Sequence, residues 1–163
     1  MAQTHPLTGK KILVVDDEPD ILDTIVELLD MCETDTAQDF DTAATLLEQN
    51  SYDMAVLDIM GVNGYDLLEI ANRNDTPALM LTAHALTADN LIASIKGGAY
   101  AYIPKDKMAE IEDYMFDLFK ARHKGLESGS AWFDKLAPFF DLKFGDNWKE
   151  KDREFWDGFE KTS

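Results

Sequence analysis

Four short apolar runs in this chain each stop on a polar residue. Lys11-Ile12-Leu13-Val14-Val15 ends at Asp16-Asp17, residues 52–57 end at Asp58, residues 78–81 end at Thr82, and residues 100–103 stop just before Lys105. Unbroken apolarity over a strand-length run suits a strand buried on both faces, as parallel sheets require. Between the runs the apolar spacing turns helical. Pro19 opens a helix to about Met31 carrying Ile21, Ile25, Leu28 and Leu29, and a second helix from about Asp41 turns Ala43, Ala44, Leu46 and Leu47 inward. Residues 65–72 form a third. Thr87 caps a fourth that runs to about Lys96 and is stopped by Gly97-Gly98. Residues 107–123 form the fifth, with Ile111, Met115, Leu118 and Phe119 inward. A weaker strand is expected near residues 33–37. Five strands alternating with five helices predict a doubly wound α/β domain with a parallel five-stranded sheet and helices on both faces.

Such sheets bind ligands outside the carboxyl ends of their strands. Those ends carry Asp16, Asp17, Asp58, Thr82 and Lys105. Singly, each residue is an ordinary loop, cap or surface group; together they form a complementary set. Carboxylates that converge in one crevice repel one another unless a cation sits between them. Oxygen-only donors of this kind favour Mg²⁺ (or Mn²⁺) over zinc. A carboxylate can also attack phosphorus to give an acyl phosphate. The new phosphoryl oxygens then need a lysine, a hydroxyl and a divalent ion to neutralise them.

These residues resemble the receiver domain of two-component response regulators. The resemblance covers about residues 9–123. It rests on Ile12-Leu13-Val14-Val15-Asp16-Asp17-Glu18, Ala55-Val56-Leu57-Asp58-Ile59-Met60, Leu79-Met80-Leu81-Thr82-Ala83 and Gly98-Ala99-Tyr100-Ala101-Tyr102-Ile103-Pro104-Lys105. It implies a flavodoxin-like strand order of 2-1-3-4-5, with Asp58 as phosphoacceptor and Thr82 and Lys105 binding the phosphoryl group. It further implies Mg²⁺ (or Mn²⁺) held by Asp16, Asp17, Asp58 and the Met60 carbonyl. Tyr102 would be the aromatic switch that turns inward when Thr82 moves to the phosphate; the plainer reading is a strand-edge tyrosine with its hydroxyl in water. The implied partner is a histidine kinase or phosphotransfer protein, and the implied output is protein–protein contact.

The sequence departs from that family in two places. The loop Ile59-Met60-Gly61-Val62-Asn63-Gly64 lacks the usual proline and is about two residues short, and Pro104 precedes Lys105 instead of following it. Met60 and His84 flank the site, where they could tune how fast water removes the phosphoryl group. Two other functions compete. One is a receiver-like binding module that works without phosphorylation. The other is a Mg²⁺-dependent aspartyl phosphohydrolase, which needs a second Asp two residues after the nucleophile, where this chain has Met60.

A net charge of −17 argues against binding nucleic acid, and the lone Cys32 rules out an internal disulfide. No stretch is long and apolar enough to span a membrane, and the first eleven residues lack a secretory signal's apolar core, so a cytoplasmic protein is expected. Nearly all the negative charge lies before residue 124. The segment 124–163 is close to neutral yet holds over half of the aromatic rings. It reads as a linker at Lys124-Gly125 and residues 127–130, followed by an aromatic-rich helical extension. Trp132, Phe133, Leu136, Phe139, Phe140 and Phe144 form one helix, although Phe140, Leu142 and Phe144 also alternate as in a strand. A second helix capped by Asp146 would carry Trp148, Phe155, Trp156 and Phe159. The extension is too short for a DNA-binding or catalytic output domain. It must fold onto its own receiver, pair with a second copy as a homodimer, or dock a partner.

Overall fold

Each apolar run becomes a strand and each polar stop its carboxyl end. The computed structural model describes residues 7–83, 86–123 and 131–161. Strands β1 (Lys11–Val15), β2 (Glu33–Ala37), β3 (Met54–Asp58), β4 (Ala78–Thr82) and β5 (Ala101–Pro104) form one sheet in the order β2-β1-β3-β4-β5. Every pairing is parallel, because each connection returns through a helix. The crossover helices are α1 (Pro19–Leu28), α2 (Phe40–Gln49), α3 (Gly64–Arg73) and α4 (Ala88–Lys96). This is the flavodoxin-like doubly wound fold, followed by C-terminal helices.

Strand order reverses at β1, so the binding crevice opens between the carboxyl ends of β1 and β3. Register decides which residues meet there. Val15 pairs with Leu57, Asp58 with Leu81, and Thr82 with Pro104. Asp16, Asp58, Thr82 and Lys105 therefore stand at one level at the ends of four neighbouring strands. The central strands β3 and β4 are buried throughout. β2 lies at the edge and buries only Ala37, which explains the weakness of its sequence signal.

Three helix boundaries differ from those expected. α1 ends at Leu28, and the chain turns through Leu29–Cys32, where the Cys32 N–H donates to the Leu29 carbonyl at 2.9 Å before entering β2. Cys32 is half-buried, its Sγ 3.4 Å from the Leu7 carbonyl. The expected helix 107–123 is split into a 3-10 segment, Lys105–Glu110, and α5 (Ile111–His123). Beyond Lys105 this first segment has no fully buried side chain, and Met108 is only partly buried against the core, so no apolar stripe holds an α-helix in place until Ile111. In the extension, α6 (Ala131–Phe144) is one helix throughout, which disposes of the extended alternative at 140–144. The next helix does not begin at Asp146: a turn and a short 3-10 segment, Glu150–Asp152, precede α7 (Arg153–Lys161). Within that turn the Trp148 indole N–H donates to Asp141 at 2.8 Å, folding the ring back onto α6 instead of extending a helix. The linker expected at 124–130 lies outside the described residues.

The helix α3 starts against the backbone of the site itself. A Cβ on Gly64 would lie 2.3 Å from the Asp58 carbonyl oxygen and 2.7 Å from the Ile59 Cα. Backbone atoms at that distance cannot yield as a flexible side chain would. Gly64→Ala is expected to destabilise the fold by about 1–3 kcal/mol through overpacking, measured as a lower urea midpoint than the parent's; an unchanged midpoint would show that the close approach is not required.

Candidate functional site

One lysine draws together the acidic groups at the strand ends. The Lys105 ammonium lies 2.9 Å from Asp16 Oδ2, 3.5 Å from Asp58 Oδ1 and 3.6 Å from Glu18 Oε1. Its side chain is only 8% exposed, and Asp16 and Asp58 are buried. Backbone geometry fixes Asp16 further. Its N–H donates to the Ala37 carbonyl at 3.1 Å, continuing the β1–β2 ladder by one residue. Its Oδ1 accepts the Glu18 N–H at 2.9 Å, which turns the chain sharply out of the strand. Thr82 is buried at the end of β4.

Burial and like charge set the electrostatics. Asp58 is pushed up to about 7, first by burial, then by the charge of Asp16 and, more weakly, of Asp17; Lys105 only partly opposes this. Burial also raises Asp16, against the opposing pull of its hydrogen bond from Lys105. For Lys105, burial alone would lower the pKa, but the Asp16 hydrogen bond and the charges of Asp58, Asp16 and Glu18 outweigh it and raise the value. One ammonium is therefore not enough to neutralise this crevice.

The carboxylate oxygens of Asp16, Asp17 and Glu18 converge to within 4.8 Å of one another. The donors are all hard oxygens, Asp17 and Glu18 are open to solvent, and negative charge is in excess. That set fits a small, hydrated, oxygen-seeking dication. Asp58 joins this group through Lys105. Glu18 has no role in the sequence reading, although the uninterrupted run Asp16-Asp17-Glu18 was its signal.

The loop after β3 is shaped by Gly61. Its φ is +88°, and a Cβ there would sit 2.6 Å from Asp17 Oδ2. The loop thus needs glycine twice at this position, for its left-handed backbone and for its contact with an acidic side chain. Asn63 takes a second left-handed conformation before α3, with φ 53°. Ile59 is buried, while Met60 stands 54% exposed at the rim. His84 lies outside the described residues.

Tyr102 lies on the edge strand β5, but its hydroxyl is not in water. It is fully buried, and its Oη accepts the Thr87 N–H at 3.2 Å and lies 3.4 Å from the Thr87 carbonyl. Burial raises its pKa strongly. Thr87 caps α4 through the Asn90 N–H, and the Asn90 side-chain amide donates to the Thr87 hydroxyl at 3.0 Å. The Tyr65 hydroxyl in turn donates to Asn90 Oδ1 at 2.7 Å. Tyr65 follows Gly64 directly, so this network reaches from the backbone beside Asp58 to Tyr102.

Residues 12–115 match the family described as the response regulator receiver domain. The regulatory protein VanRB of Enterococcus faecalis is 37% identical over 100 residues, covering 58% of this chain and 45% of that protein. The chain spans less than half the length of such curated relatives. Among solved structures, the receiver domain of the Francisella response regulator 1452 superimposes with a TM-score of 0.63 at 29% identity, covering 70% of this chain and 99% of that one. A CheY-like receiver domain protein from Methanospirillum hungatei gives 0.65 at 26% identity, covering 72% and 99%. Among the described residues, no helix is long and apolar enough to cross a membrane.

The raised pKa of Asp58 predicts a pH dependence with a definite sign. Between about 4 and about 7 the folded chain holds a proton on Asp58 that the unfolded chain has released. The Asp58 contribution to stability therefore falls as pH rises through that window and stays low above it. Without divalent ions at pH 8, Asp58→Asn should be more stable than the parent by about 1–3 kcal/mol, with the gap closing toward pH 4. Equal stability at pH 8, or a gap that widens on acidification, would contradict the electrostatic account.

Proposed function

The chain belongs to the response regulator receiver family, and on that premise we propose that Asp58 accepts a phosphoryl group from a histidine kinase or phosphotransfer protein in two-component signalling. The observation that supports this most directly is the buried Asp58 carboxylate 3.5 Å from the Lys105 ammonium, beside the Asp16-Asp17-Glu18 group. In the transfer an Asp58 oxygen forms the new bond to phosphorus. The donor's nitrogen–phosphorus bond breaks, and the freed imidazole takes up a proton. Lys105 neutralises one phosphoryl oxygen, and the Thr82 hydroxyl at the neighbouring strand end donates to another. Mg²⁺ (or Mn²⁺), held by Asp16, Asp17, Asp58 and the Met60 carbonyl, would supply further neutralisation of the transferring group.

Tyr102 is the switch residue in this reading. Output passes through protein contact, from residues 9–123 acting as receiver and 124–163 as extension. A cytoplasmic location fits a soluble signalling domain that meets its donor by diffusion. Turnover of an external substrate is not part of the reading, because the position two residues beyond Asp58 holds Met60, which cannot carry a proton. Met60 also offers attacking water no hydrogen bond, which favours a long-lived phosphoryl group, with His84 as the other rim candidate.

Incubating the folded protein with Mg²⁺ and a small phosphodonor such as acetyl phosphate, read by intact mass, tests the acceptor. A single phosphoryl adduct that is lost in Asp58→Asn is expected. No adduct from the Mg²⁺-loaded parent would favour a binding module independent of phosphorylation. In the same assay Met60→Asn should lose its phosphoryl group faster than the parent, and equal decay would remove Met60 from any tuning role.

A further inference from the structure

The C-terminal helices lie across the side of the sheet formed by α4, β5 and α5, and their central contact is with Tyr102. Phe140 is fully buried, its ring 6.1 Å from that of Tyr102 and stacked between Phe133 and Phe144 at 5.9 and 5.5 Å. Polar contacts surround this apolar centre. Lys135 pairs with Asp117 and sits over the Tyr114 ring at 5.6 Å, and Lys107 covers Phe139. At the α4 end, Lys96 lies over Phe155 and Lys151 is 3.9 Å from Asp89.

The Tyr102 hydroxyl hangs on Thr87, five residues beyond Thr82. A phosphoryl group on Asp58 brings anionic oxygens that recruit donors from the end of β4, which pulls Thr82 and the chain leading to Thr87. That movement alters the seat of the Tyr102 ring. Phe140 is packed on several sides and cannot follow without breaking its stacks, since close-packed interiors switch between arrangements instead of deforming smoothly.

The extension is also built to be the weaker partner. Pro138 lies inside α6, where it removes a backbone hydrogen bond. The buried Trp156 indole N–H has no acceptor among the described residues, a cost that favours any state in which water reaches it.

We propose that α6 and α7 form a cap released by phosphorylation: docked over Tyr102 while Asp58 is unmodified, and detached when Asp58 carries a phosphoryl group. Release uncovers the α4–β5–α5 face, which is suited to a partner helix that, like α6, sets lysines beside aromatic rings. The inference rests on Asp58 being the phosphoacceptor.

Hydrogen exchange of the whole 163-residue chain, followed by mass spectrometry over residues 131–161, tests it. The comparison is between unmodified protein and protein whose adduct is confirmed by intact mass in the same sample. Exchange in α6 is expected to rise about tenfold or more on phosphorylation and to stay unchanged in Asp58→Asn under the same conditions. An adduct with unchanged or slower exchange in α6 overturns the cap and leaves the acceptor reading standing; absence of any adduct overturns both. Linkage supplies a second arm, because coupling between sites is reciprocal. Phe140→Ala, and the milder Lys135→Ala at an exposed position, should bind Mg²⁺-beryllofluoride several-fold more tightly than the parent. Unchanged or weaker affinity in both variants overturns the coupling.

Discussion

Two buried carboxylates facing one ammonium govern the design of this molecule. Asp16 and Asp58 sit in a crevice where ionisation is costly, and Lys105 lies within 2.9 and 3.5 Å of them. A buried charge is tolerable only when paired and hydrogen-bonded. The lysine must therefore arrive at the end of β5, which in turn requires β5 to lie beside β4 in the register that aligns Pro104 with Thr82. The pairing is still incomplete. Burial first, and then the charges of Asp16 and Asp17, push the Asp58 carboxyl up to about 7 in spite of Lys105. The fold thus supports a site that is electrostatically unsatisfied, a common physical signature of a functional centre.

The loop beyond β3 shows how backbone space can replace side-chain contacts. The short span between β3 and α3 has to leave the strand, pass an acidic side chain and enter a helix. It manages this by omitting Cβ atoms where they would collide. Gly61 lets the loop pass Asp17, and Gly64 lets α3 begin on the backbone of Asp58 and Ile59. Because Tyr65 comes next, the tightness of the turn also fixes where its hydroxyl meets Asn90. Loop length, acidic geometry and the network to Tyr102 are consequences of the same two glycines.

The central strands and the acidic site were legible in the sequence because burial on both faces leaves an unbroken apolar run, and the polar stop marks the carboxyl end. β1 could be placed to the residue and β4 to within one for that reason, and with them Asp16 and Thr82. Signals failed where structure depends on something distant. The stretch after Lys105 looks helical, but it buries no side chain fully and winds as a 3-10 segment. Asp146 has the chemistry of a helix cap, yet the indole of Trp148 gains more by bonding to Asp141 and packing on α6. Glu18 looked like a mere neighbour of two aspartates, because its approach to Lys105 is set by the fold and not by adjacency in sequence.

The extension is where charge and packing have to be considered together. Most of the −17 net charge belongs to the part of the chain before the linker, whereas the extension is nearly neutral. Its lysines are placed accordingly. Lys135 reaches Asp117 and Lys151 approaches Asp89, while Lys149 stays within its own aromatic cluster, over Phe133, Trp148 and Trp156 at 4.9, 5.7 and 5.3 Å. Exposed ion pairs add little stability and weaken with salt, so they orient the extension more than they hold it. Adhesion comes from buried rings, with Phe140 against Tyr102 at the centre. That contact places the centre of adhesion on the one residue of β5 whose hydroxyl is tied, through Thr87, to the strand end beside Asp58.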